Sequence, residues 1–249
     1  MPTAPASPAE QLPARTAAVW AALDPVVSAG SPLRVLDVGG GSGMFAVPLA
    51  RLGHDVTVVD PSADALATLR RRADTAGVGA LVHGLQGDGD LLHDVLPAAG
   101  GGSDGIYDLA LCHYVLEVVD DPAVTLGEIG RALRPGGQVS VATANRAGAV
   151  LGRAVAGHPV EALALLEDRD PALARSKPAR RFSPEDMLAL VDGAGLRPGP
   201  WRGVSVVADL LEATSGAEPG AVRALELALA EQSPFRDIAT GLHVLATRP

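Results

Sequence analysis

Leu33-Arg-Val-Leu-Asp-Val-Gly-Gly-Gly-Ser-Gly43 decides the fold class. A β-prone run, Leu33–Val38, passes directly into four glycines within five positions (39, 40, 41 and 43) and then into helical spacing over Gly43–Leu52. The stretch reads as a buried strand, a glycine-rich turn and a helix. Glycines there permit positive φ and leave no Cβ in the way of a ligand. A nucleotide-like molecule can then lie over the carboxyl end of the strand. A dinucleotide fingerprint, Gly-x-Gly-x-x-Gly, counted from Gly39 requires glycine at the position of Met44, and counted from Gly41 it also fails. No Gly-Lys-Ser/Thr occurs, so the turn is not a Walker loop. It reads instead Asp37-x-Gly39-x-Gly41-x-Gly43.

Outward from this segment the chain alternates short β runs with helical stretches, the pattern of a doubly wound α/β sheet. Seven strands are expected: Leu33–Val38, Asp55–Val59, Ala80–Leu85, Tyr107–Cys112, Gln138–Thr143, about Trp201–Val207 and about Leu242–Thr247. Helices are expected over Gln11–Ala29, Gly43–Leu52, Ala63–Ala76, Ala123–Leu133, Pro184–Ala194 and Ala221–Glu231, with Ser183 before Pro184 as an N-cap. Arg134-Pro-Gly-Gly137 reads as a turn that ends a helix and reverses the chain. Residues 1–10, rich in Pro, Ala and Ser, read as a disordered tail. The rest, 11–249, reads as a single domain with a cap insertion at about 145–182, where the alternation lapses.

Composition bounds the function. The 249 residues suffice for one large α/β domain, and 47% hydrophobic with 20% charged is ordinary for a soluble enzyme. No apolar run reaches a membrane span and the amino terminus does not read as a signal peptide, so a cytoplasmic protein is expected. The single Cys112 excludes an internal disulfide and a cysteine-based zinc site. His54, His83, His93, His158 and His243 show no ligand spacing, and no metal is expected. A net charge of −9 argues against broad electrostatic binding to nucleic acid.

Asp60 ends the second strand, where its carboxylate can accept both ribose hydroxyls of a ligand or cap the following helix beside Ser62. Asp37 either anchors the loop or receives a ligand's ammonium.

The Asp37–Gly43 loop resembles motif I of the class I S-adenosylmethionine-dependent methyltransferases. Gly87-Asp88 after the third strand and Leu133-Arg-Pro-Gly-Gly137 before the fifth are similar to segments of that superfamily. The likeness extends along the chain. Arg15-Thr-Ala-Ala-Val-Trp20, Leu33–Gly43, His113-Tyr-Val-Leu-Glu-Val-Val-Asp-Asp-Pro122, Ala144-Asn-Arg-Ala-Gly148 and Gly203-Val-Ser-Val206 follow the order and spacing of the bacterial tRNA 5-carboxymethoxyuridine methyltransferases. Those enzymes esterify the carboxylate of a modified wobble uridine.

The resemblance implies a Rossmann-like methyltransferase fold: a mostly parallel seven-stranded sheet with the last strand antiparallel. It implies S-adenosyl-L-methionine as cofactor, contacted by Arg15, Gly39, Gly40, Asp60, Asp88 and His113, with Arg15 paired to the cofactor's carboxylate; the loop itself adds Asp37 and Gly41 as cofactor-binding candidates. Where that family tends to read Gly-Val-Arg-Val-Phe-His-Asp-Tyr, this chain has Gly203-Val-Ser-Val-Val-Ala-Asp-Leu210, and its cap keeps only Arg175-Ser-Lys-Pro-Ala-Arg-Arg181 of a lysine-rich stretch. The methyl acceptor is therefore either tRNA or a small-molecule metabolite. A third reading, from a different class, is a non-catalytic cofactor-binding partner subunit. A carboxylate acceptor is ionised at neutral pH and needs no general base. It needs donors to hold it, for which Asn145, Arg146 and Arg181 are the candidates by position.

Overall fold

The computed structural model describes residues 13–96, 105–167, 180–211 and 216–249. The expected tail and the Arg175–Lys177 stretch of the cap fall outside these residues. Seven strands form one sheet in the order β3-β2-β1-β4-β5-β7-β6. They are β1 (Arg34–Val38), β2 (Asp55–Asp60), β3 (Val82–Gln86), β4 (Tyr107–His113), β5 (Leu133–Ala144), β6 (Arg197–Val204) and β7 (Gly241–Thr247). β7 runs antiparallel to both β5 and β6, as the resemblance implied.

Nine α-helices occur among the described residues: α1 (Ala17–Val27), α2 (Ala46–Arg51), α3 (Ala63–Thr75), α4 (Leu92–Val95), α5 (Pro122–Ala132), α6 (Arg146–Val155), α7 (Pro159–Leu166), α8 (Pro184–Gly193) and α9 (Pro219–Leu229). None of them is long and apolar enough to cross a membrane.

Contacts divide the chain into two compact units. The first comprises Val26–Val141, Leu188–Gly199 and Leu245–Pro249. The second comprises Ala142–Met187, Pro200–Val244 and the described part of Met1–Pro25. In the first unit β1 pairs in parallel with β2 through Val35↔Val56 and with β4 through Val35↔Leu109. Val35, Leu36, Val56, Val58, Leu109 and Leu111 are all fully buried. Near-continuous Val and Leu runs of this kind suit strands covered on both faces. The chain winds outward from β1 to β3, then returns to β4 on the other side of β1. This reversal places the ends of β1 and β4 at the switch point where doubly wound sheets bind ligands.

One expectation is corrected. Arg134-Pro-Gly-Gly137 does follow the end of a helix, but it belongs to β5 rather than to a free turn. Gly136 N–H donates to Arg248 O at 2.9 Å and Arg248 N–H to Gly137 O at 2.8 Å, so the end of the chain laces this stretch into the sheet. A Cβ at Gly137 would sit 2.8 Å from Arg134 O and 3.0 Å from Tyr107 O, a closeness only glycine permits. The described part of 145–182 is also helical, as α6 and α7. The start of α8 is as expected: Ser183 Oγ accepts from Asp186 N–H and Asp186 Oδ2 from Ser183 N–H, both at 3.1 Å. The exchange satisfies two amide donors that the helix start would leave open.

Candidate active site

The loop after β1 is built from close approaches. Gly39, Gly41 and Gly43 have φ of +66°, +54° and +81°. This is the left-handed region, which costs a residue with a Cβ free energy. Gly40 is needed for another reason: a Cβ there would lie 2.4 Å from Asp37 Oδ2. At Gly39 the obstacle would be Val115, with Cγ2 at 2.3 Å. Gly39 N–H donates to Val59 O at 2.7 Å, which ties the loop to β2.

Asp60, at the end of β2, organises the loop from the neighbouring strand. Its Oδ2 accepts Gly41 N–H and its Oδ1 accepts Ser62 N–H, each at 2.9 Å. Ser62 Oγ in turn caps α3 by accepting Ala65 N–H at 3.2 Å. Asp60 thus sits at the helix start, as one of its two sequence readings had it, although Ser62 supplies the cap itself. Each oxygen keeps a second lone pair, so the loop's amides do not exhaust its capacity for a ligand's hydroxyls.

Asp37 is buried, and its Oδ2 has no hydrogen-bond partner among the described residues. Burial, with the Asp60 charge nearby, raises its carboxyl to a pKa of about 7. A buried acceptor with nothing to accept from is uncommon in a folded protein and calls for an occupant. Beneath a cradle of glycines, this orphaned oxygen fits a cationic, nucleoside-bearing ligand.

Asp88 follows β3 as an exposed carboxylate, one residue before a 3-10 turn at Gly89–Leu91. His113 ends β4. Its Nε2 lies 2.8 Å from Ser140 Oγ and its ring meets Phe45 edge-on at 4.5 Å. Burial depresses its pKa to about 3, so the imidazole is neutral throughout the physiological range and a weak base. The next residue, Tyr114, holds φ +57° without being glycine. Such strain gathers at functional sites, and no sequence signal marked it. Met44, Leu91 and Tyr114 are 54%, 51% and 48% exposed. They follow β1, β3 and β4 in turn, and leave apolar surface uncovered around those strand ends.

The remaining candidates lie in the second unit. Arg15 Nη2 pairs with Asp209 Oδ1 at 2.6 Å, and Thr240 Oγ1 donates to Asp209 Oδ2 at 2.6 Å. Asn145 is fully buried and structural: Nδ2 donates to Asp237 O at 2.9 Å and Ala239 O at 2.8 Å, and Oδ1 caps α6 by accepting Ala147 N–H at 3.1 Å. Both its donors are thereby committed to backbone carbonyls. Arg146 and Arg181 come together: Arg146 Nη2 reaches Arg181 O at 3.5 Å, beside the Asn145↔Phe182 bridge.

Sequence reasoning missed Glu226. It is fully buried and accepts N–H from Val206 and Val207, both at 2.8 Å, and from Ala208 at 2.6 Å. A buried glutamate within a helix carries no local sign of such a partner. Among the described residues no three His, Cys, Asp or Glu side chains group as a metal site.

A methyltransferase-domain family model matches residues 9–198. This chain is a member of that methyltransferase family. Over 245 residues the chain is 30% identical to the tRNA 5-carboxymethoxyuridine methyltransferase of Escherichia coli, covering 94% of this chain and 88% of the relative. It is 32% identical over 175 residues to a ubiquinone biosynthesis O-methyltransferase of Xanthomonas oryzae, covering 68% of each. Among solved structures, an S-adenosylmethionine-dependent methyltransferase from Mesorhizobium loti matches with a TM-score of 0.61 at 22% identity, covering 94% of this chain and all of that one. At that identity the likeness speaks for the fold.

Proposed function

We propose that this methyltransferase uses S-adenosylmethionine to methylate a carboxylate oxygen, such as that of wobble 5-carboxymethoxyuridine in tRNA. The observation that carries the cofactor is the orphaned Asp37 oxygen beneath the Gly39–Gly41 cradle, beside an Asp60 that already holds the loop. When bound, S-adenosylmethionine supplies a methyl group on a sulfonium, which an acceptor oxygen takes by in-line displacement. The chain's own part is placement. Asp37 receives the ammonium, Asp60 the ribose hydroxyls, Asp88 the adenine amino group, and neutral His113 packs beside the cofactor. Arg15, paired with Asp209 within the second unit, is the residue that the resemblance assigns to the cofactor's carboxylate. The acceptor is already ionised at neutral pH. No residue need remove a proton, and a His113 pKa of about 3 suits that requirement. Arg146 and Arg181 are the acceptor-side cations. The enzyme works in the cytoplasm, as one domain with a cap over 145–182.

A second reading, methylation of a small metabolite, is favoured by the net charge of −9 and by Ser205, Ala208 and Leu210 where the tRNA family tends to carry Arg, His and Tyr. One experiment separates them: transfer of labelled methyl from the cofactor into total tRNA and, in parallel, into a small-molecule extract. Label in tRNA that nucleoside mass spectrometry places on 5-carboxymethoxyuridine supports the first reading. Label in the extract alone selects the second. Tight adenosylhomocysteine binding with transfer to neither would make the chain a non-catalytic partner subunit.

A further inference from the structure

In the second unit, Arg15, Arg153 and Arg202 each hold a carboxylate oxygen, at 2.6, 2.8 and 3.1 Å. Arg236 does not. Among the described residues its polar contacts are Asp237 Oδ1 at 3.6 Å from Nε and Trp201 O at 3.5 Å from Nη1. Its Nε is buried and donates no hydrogen bond within these residues. A guanidinium carries five N–H donors in a planar fork, and this one is largely unspent.

The side chain is nonetheless fixed. Its guanidinium carbon lies 4.2 Å from the centroid of the Trp201 ring, a cation–π stack that covers one face. Its backbone is pressed against β6, where a Cβ on Gly203 would come within 2.8 Å of Arg236 Cα. Asn145 holds the following carbonyls, those of Asp237 and Ala239. Close by, Ser205 holds φ +57°, accepts Thr240 N–H at its carbonyl and keeps a buried Oγ with no hydrogen-bond partner among the described residues. Phe235 and Ile238, on either side of Arg236 in sequence, are each 42% exposed. The result is a preset cation on an indole, with unspent donors and an apolar border.

We infer that Arg236, stacked on Trp201, is a binding site for the carboxylate of an apolar-bodied or aromatic ligand. A planar carboxylate meets the terminal Nη1–Nη2 edge of the fork with two parallel N–H···O bonds, and the stack lowers the cost of ordering the arginine.

The probes are phenoxyacetate, its neutral analogue 2-phenoxyethanol and dimethyl phosphate. Each is titrated into the full chain with and without adenosylhomocysteine. A Trp20→Phe background leaves Trp201 as the single fluorescent tryptophan. Wild type is expected to prefer phenoxyacetate to the alcohol by about 10-fold, the scale of one charge-assisted pair. Arg236→Gln should abolish the preference, Arg236→Lys should keep part of it, and Arg202→Gln should keep all of it. Adenosylhomocysteine affinity and the thermal midpoint should change little in all three. A merely structural arginine would lower the thermal midpoint and weaken both phenoxy probes equally. That result, a preference surviving in Arg236→Gln, no preference in wild type, or dimethyl phosphate binding as tightly as phenoxyacetate would each overturn the inference. Failure of adenosylhomocysteine to bind would instead overturn the cofactor reading and leave the Arg236 titrations to be judged alone.

Discussion

Asp37→Asn removes the charge of the buried carboxyl while keeping its shape, and its consequences have a definite sign. The folded pKa of Asp37 is raised from 3.8 to about 7. The folded chain therefore holds a proton that the unfolded chain releases between those two values. Stability from this group is fully present below about pH 4 and is lost as pH rises towards 7. Each pKa unit corresponds to about 1.4 kcal/mol, so the whole loss is about 4 kcal/mol, of which about 3 kcal/mol falls between pH 5 and pH 8. The assay is urea unfolding of ligand-free wild type and Asp37→Asn at both pH values. Subtracting the two proteins cancels every other titration. The variant should gain about 3 kcal/mol on wild type across that interval. Cofactor binding should move the opposite way. If the ammonium requires the ionised carboxylate, wild-type affinity for adenosylhomocysteine should rise about 10-fold from pH 6 to pH 8, and Asp37→Asn should bind weakly with no such slope. Parallel stability curves for the two proteins would refute the raised pKa of the buried carboxyl, and an equal pH slope in binding would refute the ammonium role.

Three further outcomes are expected. Gly40→Ala forces a methyl against Asp37 Oδ2 and should destabilise by about 1–3 kcal/mol, with most of the loss recovered in Asp37→Gly/Gly40→Ala; additive losses in denaturant melts would count against that contact. Glu226→Ala strips three buried amides of their acceptor and should lower stability by about 3–5 kcal/mol in the same assay, whereas a loss within 0.5 kcal/mol of zero, roughly the scale of a surface change, would contradict that role. Arg15→Ala breaks a largely exposed pair and should change stability by less than about 1 kcal/mol. A fall in adenosylhomocysteine affinity of more than 10-fold, about 1.4 kcal/mol, measured by calorimetry, would mark Arg15 as a cofactor ligand, and unchanged affinity would confine it to Asp209.

Legibility in the sequence followed the range of the interaction. The loop at Gly39–Gly43 could be read because its demands are local: positive φ, absent Cβ atoms and a strand running into it. Asp60 could be read because a strand end beside a helix start narrows what a carboxylate there can do. Asn145 could not. Its place at the end of β5 suggested acceptor contact, but its amide is spent on residues some ninety positions away. Arg134–Gly137 misled for a related reason. Proline and two glycines signal a turn, and only the return of Arg248 makes the stretch part of a strand.

The sequence by itself determined the fold class, the wound sheet and the glycine cradle, since hydrophobic period, glycine placement and cap chemistry act over a few residues. Tertiary structure alone decided the state of the groups. It left an Asp37 oxygen buried with no hydrogen-bond partner among the described residues, held His113 neutral, engaged Arg15 with Asp209, and stacked Arg236 on Trp201. Charge state and spare hydrogen-bonding capacity depend on which distant atoms arrive and how much water they exclude, and one-dimensional spacing does not carry that information.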